Sequence, residues 1–319
     1  MIKMSECKVN VVIPTLRGLS WLPACLESLH KQTFRDFDIT VIDNASTDGT
    51  RDFLAGCADV NVIHNAMNNG FAEACNQGIR TGHAAFVALL NDDTEVSPVW
   101  LERLVAGMQD GIGACASLMI FANQPLVVQS AGIAMDRAAI AWDRLGGHSV
   151  DMAQIACEIF GASGGAALYR RAMLDEIGLF DTRFFAYLED VDLAWRAQCA
   201  GWRCCYVPQA VVQHKTSATS GAGSAFKNEL LGRNKMWLAA KNARWQDLPM
   251  IAAYDIMGIL WAGITRGEWS HLRGRIKGLS KVSQFRNSFR KQHKCIKSQI
   301  PIDSVVPPWK VVARQQGKA

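Results

Sequence analysis

The sequence predicts an α/β fold, a mostly parallel sheet flanked by helices, and three observations carry that expectation. Short aliphatic and β-branched runs alternate with helix-like segments from Lys8 to about Asp110. The 319-residue chain is 49% hydrophobic, enough to bury a sizeable core and too apolar for a disordered protein. Polar turns follow each apolar run, as expected where parallel strands end at a ligand-binding rim.

The first strand is placed at residues 9–14, a nearly all-apolar run of the kind that a strand covered on both faces requires. Strands at 39–43, 60–64 and 85–90 repeat the pattern, with helices expected near 20–31, 49–58, 70–81 and 97–108. Ser97 is expected to cap the last of these, with Pro98 as its first helical residue. Beyond Asp110 the alternation loosens into strand-like runs at 114–121 and 127–131, a glycine-rich stretch at 160–167 and a helix over about 190–200. Residues 111–116 match a loose dinucleotide-binding pattern, but they precede a strand where such a site must follow one, so the match counts as chance. No Walker A loop, H-E-x-x-H motif or internal repeat occurs.

The unusual residues gather in the turns after the strands: Pro14-Thr15, Asp43-Asn44 up to Gly49, Asn68 to Ala72, and Asn91-Asp92-Asp93-Thr94. Adjacent carboxylate and amide oxygens at Asn91-Asp92-Asp93 suit a hard cation, which takes one or two protein carboxylates and completes its shell with phosphate oxygens. The same residues also serve to start a turn or support a helix. Glu189-Asp190-Val191-Asp192 likewise admits two readings. Carboxylates in a first helical turn complement the dipole, whereas the flanking Phe184-Phe185-Ala186-Tyr187 would desolvate one of them and raise its proton affinity toward that of a general base. His214 follows Val211-Val212 and stands beside Lys215, Thr216, Ser217, Thr219 and Ser220, donors suited to phosphate oxygens; a lone histidine is otherwise structural.

In their order and spacing these segments resemble family 2 glycosyltransferases, whose catalytic domain has the glycosyltransferase-A fold, with bacterial rhamnosyltransferase-type enzymes as the nearest look-alikes. The resemblance rests on Val-Val-Ile-Pro-Thr (11–15), Val-Ile-Asp-Asn-Ala-Ser-Thr-Asp-Gly-Thr (41–50), Asn-Asn-Gly-Phe-Ala (68–72) and Leu-Asn-Asp-Asp-Thr (90–94). It continues through Gly-Gly-Ala-Ala-Leu-Tyr-Arg-Arg (164–171), Gly-Leu-Phe-Asp (178–181), Phe-Phe-Ala-Tyr-Leu-Glu-Asp-Val-Asp-Leu (184–193) and Val-Val-Gln-His (211–214). It implies a catalytic domain over 1–245, with a nucleotide-sugar half at about 8–110 and an acceptor half at about 111–245, followed by a helical, basic extension over 246–319.

The resemblance also implies roles. Pro14, Thr15, Asp43, Asn44, Gly70, Asn91 and Asp92 would line the nucleotide pocket, Asp43 near the base. Asp93, the last position of the family's acidic triplet, and His214 would hold Mn²⁺ or Mg²⁺. Asp190, preceded by Glu189, would be the general base of an inverting single displacement, taking the proton of an acceptor hydroxyl as it attacks the anomeric carbon. Asn91 stands where many members have aspartate, and Leu16-Arg17-Gly18 where many read Tyr-Asn-Arg, which leaves the contacts to the donor phosphates open. The Gln-x-x-Arg-Trp motif of processive synthases is absent, so single-sugar addition is expected.

Charge divides the chain. The formal net charge is +5, yet residues 266–319 hold 13 Lys/Arg against Glu268 and Asp303, which leaves the preceding part net acidic. A basic tail points to an anionic partner, and with no nucleic-acid-binding motif beside it a phospholipid surface is expected rather than nucleic acid. The longest apolar stretch, 250–265, is interrupted by Asp255 and falls short of the ~20 residues of a spanning helix. Residues 248–279 mix Ile251, Tyr254, Ile259, Leu260, Trp261 and Trp269 with Arg266, Arg273, Arg275 and Lys277, a pattern for a helix lying in the headgroup layer or for a helical cap with a solvated basic face.

Ten scattered cysteines without a C-x-x-C pair, and a start without the pattern of a signal peptide, are expected of a cytoplasmic protein. With the basic tail, that means one peripheral on the inner face of the cytoplasmic membrane, taking a saccharide or polyprenyl-diphosphate-linked saccharide as acceptor in cell-surface polysaccharide synthesis. Two other functions fit less of the sequence. A sugar-nucleotidyltransferase needs a glycine-rich basic loop after the first strand, where Gly18 is the lone glycine. A catalytically silent scaffold binding nucleotide or membrane would not need Asp93, Asp190 and His214.

Overall fold

The computed structural model describes residues 8–215 and 224–292. Its first part alternates as expected: β1 (Val9–Thr15), α1 (Leu22–His30), β2 (Phe37–Asp43), α2 (Thr50–Ala55), β3 (Val60–His64), α3 (Phe71–Arg80) and β4 (Phe86–Leu90). β1 pairs in parallel with β2 and with β4, and β2 with β3, so the carboxyl ends of these strands share one rim. Alternate side chains of β1 enter opposite cores. Val11 and Ile13 pack with Leu22, Leu29, Trp100 and Leu104, while Val12 packs with Ile42, Cys75 and Ile79.

The second part continues the same sheet with mixed polarity. It contains β5 (Thr94–Val96), α4 (Trp100–Gly107), β6 (Ile112–Phe121), β7 (Gln124–Ser130), β8 (Ile133–Met135), β9 (Ala141–Asp143), β10 (Cys157–Ile159), β11 (Ala166–Arg170), α5 (Arg171–Ile177), α6 (Glu189–Ala200) and β12 (Arg203–His214). β11 lies antiparallel between β4 and β6, and β12 runs parallel to β6. β8 and β9 form a separate two-stranded sheet. The runs around Tyr206 and Val211 belong to a single strand, interrupted by a register shift between Val207 and Val211 where Pro208 withholds a backbone donor. The glycine pattern at 111–116 starts in the turn before β6 and runs into that strand, with no strand ahead of it to end at a dinucleotide, which marks it as chance.

α4 departs from expectation. It starts at Trp100, and the Ser97 hydroxyl finds no partner among the described residues. The carbonyl of Ser97 accepts from Gln32 Nε2 at 2.7 Å and from the Trp100 amide at 2.9 Å, and that of Pro98 accepts from the Thr33 amide at 2.8 Å. The segment is drawn into a turn against the end of α1, and this tertiary tie overrides the local capping preference.

Helices α7 (Ala225–Asn242), α8 (Leu248–Arg266), α9 (Ser270–Gly278) and α10 (Val282–Gln292) complete the described chain. A third core joins them to the sheet: Phe285 of α10 stacks on Trp237 of α7 at 4.8 Å between ring centroids and meets Phe184 edge-on at 5.7 Å. Beside it, Lys241 is sealed between Asp181 and Asp192, 2.8 Å from each, and Asp192 also binds Arg196 at 2.9 Å. Asp192, one of the three acidic residues at the start of α6, is thereby structural. The apolar helical segment runs from Trp245 to Arg266, 22 residues that contain an 18-residue window with a mean hydropathy of 1.4, so by length and composition it reaches the span that the sequence reading denied it. The difference arises because the helix begins upstream of Met250 and runs through Asp255 without a break.

Candidate active site

A cleft of about 520 Å³ opens at the carboxyl ends of β1 and β4, walled on its far side by β7, β9, the start of α6 and the end of β12. Ten of the eleven residues expected at the site line it, and Asp43 is the exception. The Asn91-Asp92-Asp93 turn is fixed by its backbone: the Asn91 amide donates to Gly165 O at 2.8 Å, and Asn91 O accepts from Thr94 Oγ1 at 2.6 Å. Asp92 turns toward β1, where Thr15 Oγ1 donates to its Oδ2 at 2.6 Å. Burial pushes the Asp92 carboxyl up to about 6, and the neighbouring Asp93 charge adds to the rise against the Thr15 hydrogen bond. Gly18 closes this corner, because a Cβ there would collide with Thr15 Oγ1 and Asp92 Oδ2. The need for glycine at 18 is thus met by the Thr15–Asp92 contact.

Asp93 turns the other way. β12 pairs His214 with Thr94, which brings His214 Nε2 to 2.9 Å from Asp93 Oδ1, while His214 Nδ1 lies 2.7 Å from Gln129 Oε1 on β7. With an amide oxygen at Nδ1, that nitrogen carries the ring proton, and the Nε2 lone pair then faces a carboxylate oxygen. Two electron-rich atoms in that relation call for a proton or a cation between them. Two ligands on adjacent corners of an octahedral cation with bonds of about 2.1 Å stand about 3.0 Å apart, so the pair fits Mg²⁺ or Mn²⁺. Among the described residues no group of three or more His, Cys, Asp and Glu is placed to hold a metal, so a cation on this pair would take the rest of its shell from water or phosphate oxygens. Thr216, Ser217, Thr219 and Ser220 lie outside the described residues.

Across the cleft, α6 begins at Glu189. Asp190 Oδ2 accepts from the Gly164 amide at 3.0 Å and Oδ1 from the Val191 amide at 2.8 Å. Burial raises the proton affinity of both carboxyls, and the charge of Asp190 raises that of Glu189 further. Glu189 is 5% exposed and its Oε2 has no hydrogen-bond partner, so it is the member held protonated. Asp190, with two backbone donors, is the ionised one.

Asp43 reaches the rim but points inward. Its side chain is fully buried, with Oδ1 accepting from the Ser46 amide at 2.8 Å and Oδ2 lying 3.0 Å from His64 Nδ1. Burial opposes its charge, yet the Ser46 and His64 hydrogen bonds hold it below the usual carboxylate range. Asp43 thus braces the loop behind the pocket wall, and its carboxylate stands outside the residues that line the cleft. Asn44 lines the cleft while binding Asn65, Asn68 and the Asn69 amide, and Pro14 lines it beside Thr15. Gly70, at φ 84°, leaves the space filled by the Phe185 ring, which a Cβ would enter. Sequence reasoning missed Gln129, Trp142, Asp143 and Lys227 on the same walls. Trp142 and Asp143 come from the three-residue β9, Gln129 from β7 and Lys227 from the first turn of α7, and nothing local marks them.

The family model described as Glycosyl transferase family 2 matches residues 10–178, over half of the chain. The chain belongs to glycosyl transferase family 2. Within curated relatives it is 37% identical over 91 residues to an N-acetylglucosaminyl-diphospho-decaprenol L-rhamnosyltransferase of Mycobacterium tuberculosis, covering 28% of this chain and 29% of the relative. It is 30% identical over 218 residues to the pre-mycofactocin glycosyltransferase of the same species, covering 66% and 43%. The matches thus span 29% and 43% of these relatives' own lengths. Among solved structures, GalNAc-T7 with UDP, GalNAc and Mn²⁺ superposes with a TM-score of 0.66 at 18% identity, over 91% of this chain and 55% of that one. The mannosyltransferase PcManGT of Pyrobaculum calidifontis, with GDP-Man and Mn²⁺, gives 0.56 at 16% identity over 90% and 84%. At these identities the likeness shows the glycosyltransferase-A fold alone.

Proposed function

We propose that this protein is an inverting, metal-dependent glycosyltransferase that moves one sugar from a nucleotide-diphosphate sugar to a hydroxyl of a saccharide acceptor, in bacterial cell-surface polysaccharide synthesis. The observation that carries the reading is the meeting, in one cleft, of an ionised carboxylate of raised proton affinity, Asp190, with the cation-fitting pair Asp93 and His214. Asp190 removes the proton of the acceptor hydroxyl as its oxygen bonds to the anomeric carbon. The bond from that carbon to the diphosphate oxygen breaks on the opposite face, and the nucleotide diphosphate leaves with the electron pair. A divalent cation held by Asp93 and His214 would supply charge neutralisation for the departing diphosphate. Thr15 and Asp92 shape the donor side, and the sealed, neutral Glu189 keeps a second negative charge away from Asp190.

A thermal-shift screen with UDP-, dTDP- and GDP-sugars, each with Mn²⁺ and with EDTA, tests donor binding, because a ligand of the folded state raises Tm. NMR of the product anomer tests inversion. Absence of stabilisation by every nucleotide would sink the reading, and retained configuration would sink the single displacement.

The acceptor we favour is a polyprenyl-diphosphate-linked saccharide, with the protein peripheral on the cytoplasmic membrane. Supporting this, α8 turns Ile251 and Gly263 inward, ties Asp255 to Lys235 of α7 at 2.9 Å and to Arg275 of α9, and turns Ile256, Met257, Leu260 and Ile264 to solvent. A helix so anchored on one side suits the headgroup layer better than a crossing, with Arg266, Arg273 and Lys277 available to anionic lipid at about 1 kcal/mol each. Flotation with anionic liposomes tests it; equal recovery of Leu260→Asp and wild-type protein would remove the surface from consideration.

A further inference from the structure

Three non-glycine residues just before α6 have left-handed backbone: Phe185, Tyr187 and Leu188, at φ 68°, 70° and 66°. L side chains occupy that region only where the surroundings over-determine it. Here one side chain from another helix does so. Asn234, in the middle of α7 and without solvent exposure, directs Nδ2 at the carbonyls of Phe184, Ala186 and Tyr187, at 3.0, 2.8 and 2.8 Å.

The direction of that amide is itself set. Asn234 Oδ1 accepts from Arg233 Nε at 3.0 Å, and Arg233 Nη2 donates to the same Phe184 carbonyl at 2.8 Å. Arg233 therefore holds the oxygen, and the nitrogen is left facing the loop. From the opposite side the Ala72 amide donates to Phe185 O at 3.1 Å. The loop is clamped between the start of α3 and the middle of α7, and Glu189 and Asp190 follow it directly.

We infer that Asn234, oriented by Arg233, is a positioning residue for Asp190: it closes the left-handed turn that aims the Asp190 carboxylate at the Gly164 amide and into the cleft. Asn234 does not line the cleft and touches no substrate. The inference rests on Asp190 as the base of the proposed reaction, and its test includes a readout independent of turnover.

Asn234→Ala and Asn234→Asp are compared with wild type in donor and acceptor kinetics and in peptide-resolved amide exchange. With the clamp removed, Asn234→Ala loses about 10²-fold in kcat, the scale of a misplaced catalytic group, with donor KM within about twofold. The amides of Gly164 and Val191, which donate to Asp190, exchange faster while those of β1 and β4 keep their protection. Asn234→Asp presents oxygens to three carbonyls until its carboxyl is protonated, so its deficit relative to wild type shrinks as pH falls, which the alanine variant's does not. Arg233→Gln, which leaves Asn234 but frees its amide, gives an intermediate loss and serves if the alanine variant does not fold. Wild-type kcat with unchanged exchange at Gly164 in Asn234→Ala, or in Arg233→Gln where alanine fails to fold, overturns the inference, as does a pH-independent deficit with protection lost throughout. If wild type transfers no sugar from any donor, the proposed function fails, and exchange at Gly164 alone decides the clamp.

Discussion

Asp190→Asn separates chemistry from folding at the proposed site. The substitution keeps the shape of the side chain but removes its ability to take a proton, and positioned general bases contribute about 10² to 10⁴ in rate. That corresponds to about 3 to 5 kcal/mol of barrier, read as a fall in kcat with donor KM unchanged. The structural effect is small and of mixed sign. The carboxylate accepts from two amides, Gly164 and Val191, and a carboxamide has one oxygen for them, so one donor loses its partner at a cost of about 1 kcal/mol.

Against that stands relief of a buried charge. Because burial raises the Asp190 proton affinity in the folded state, its ionisation weakens folding as pH rises from the ordinary carboxylate range through the raised value. The asparagine variant lacks this penalty, so its Tm relative to wild type improves as pH rises from the ordinary carboxylate range through the raised value. Catalysis runs the other way: wild-type kcat/KM falls as pH drops through the raised value, and this acid limb is altered in the variant. The assay is nucleotide release by chromatography across pH, beside thermal unfolding at each pH. A variant kcat within tenfold of wild type at neutral pH would refute Asp190 as the base.

Three further outcomes follow from the packing. Gln129→Leu removes the acceptor that holds the His214 Nδ1 proton, and Mn²⁺ affinity, read by the EPR signal of free Mn²⁺, should weaken about 10- to 100-fold; unchanged affinity would detach Gln129 from the cation pair. Lys241→Met leaves Asp181 and Asp192 facing each other without the cation between them, and should cost about 3 kcal/mol in urea unfolding. Phe285→Ala empties the stack on Trp237 and should cost about 3 to 5 kcal/mol, and a loss under 1 kcal/mol would mean that α10 packs elsewhere in solution.

The sheet from β1 to β4 was legible because its strands read as short, mostly apolar runs, each ending in a polar turn. The same logic placed Asp92 and Asp93 at the rim, while the place of Asp190 and the roles of all three came from the family resemblance. What stayed hidden is direction. Asp92 and Asp93 are adjacent, yet one faces Thr15 and the other His214, a choice made by β1 and β12 rather than by local sequence. Asp43 is at its expected strand end with its carboxylate turned inward to Ser46 and His64. Asn234 and Gln129 carry no periodic signal, since each acts through one contact with a distant segment. Ser97 shows the converse, a strong local cap signal overruled by the Gln32 and Thr33 contacts.

The aromatic contact of Phe184 with Phe285 has a consequence for the order in which the protein is made. Phe184 begins the clamped loop, yet its ring is sealed by a residue from the last described helix, and Trp237 and Asn234 of α7 complete the same wall. The sheet and its donor-side turns emerge from the ribosome long before these helices. A nascent chain can therefore form the pocket that receives the nucleotide while the loop before Asp190 still lacks its supports. On the proposed mechanism, competence to transfer then comes only when synthesis has passed α10.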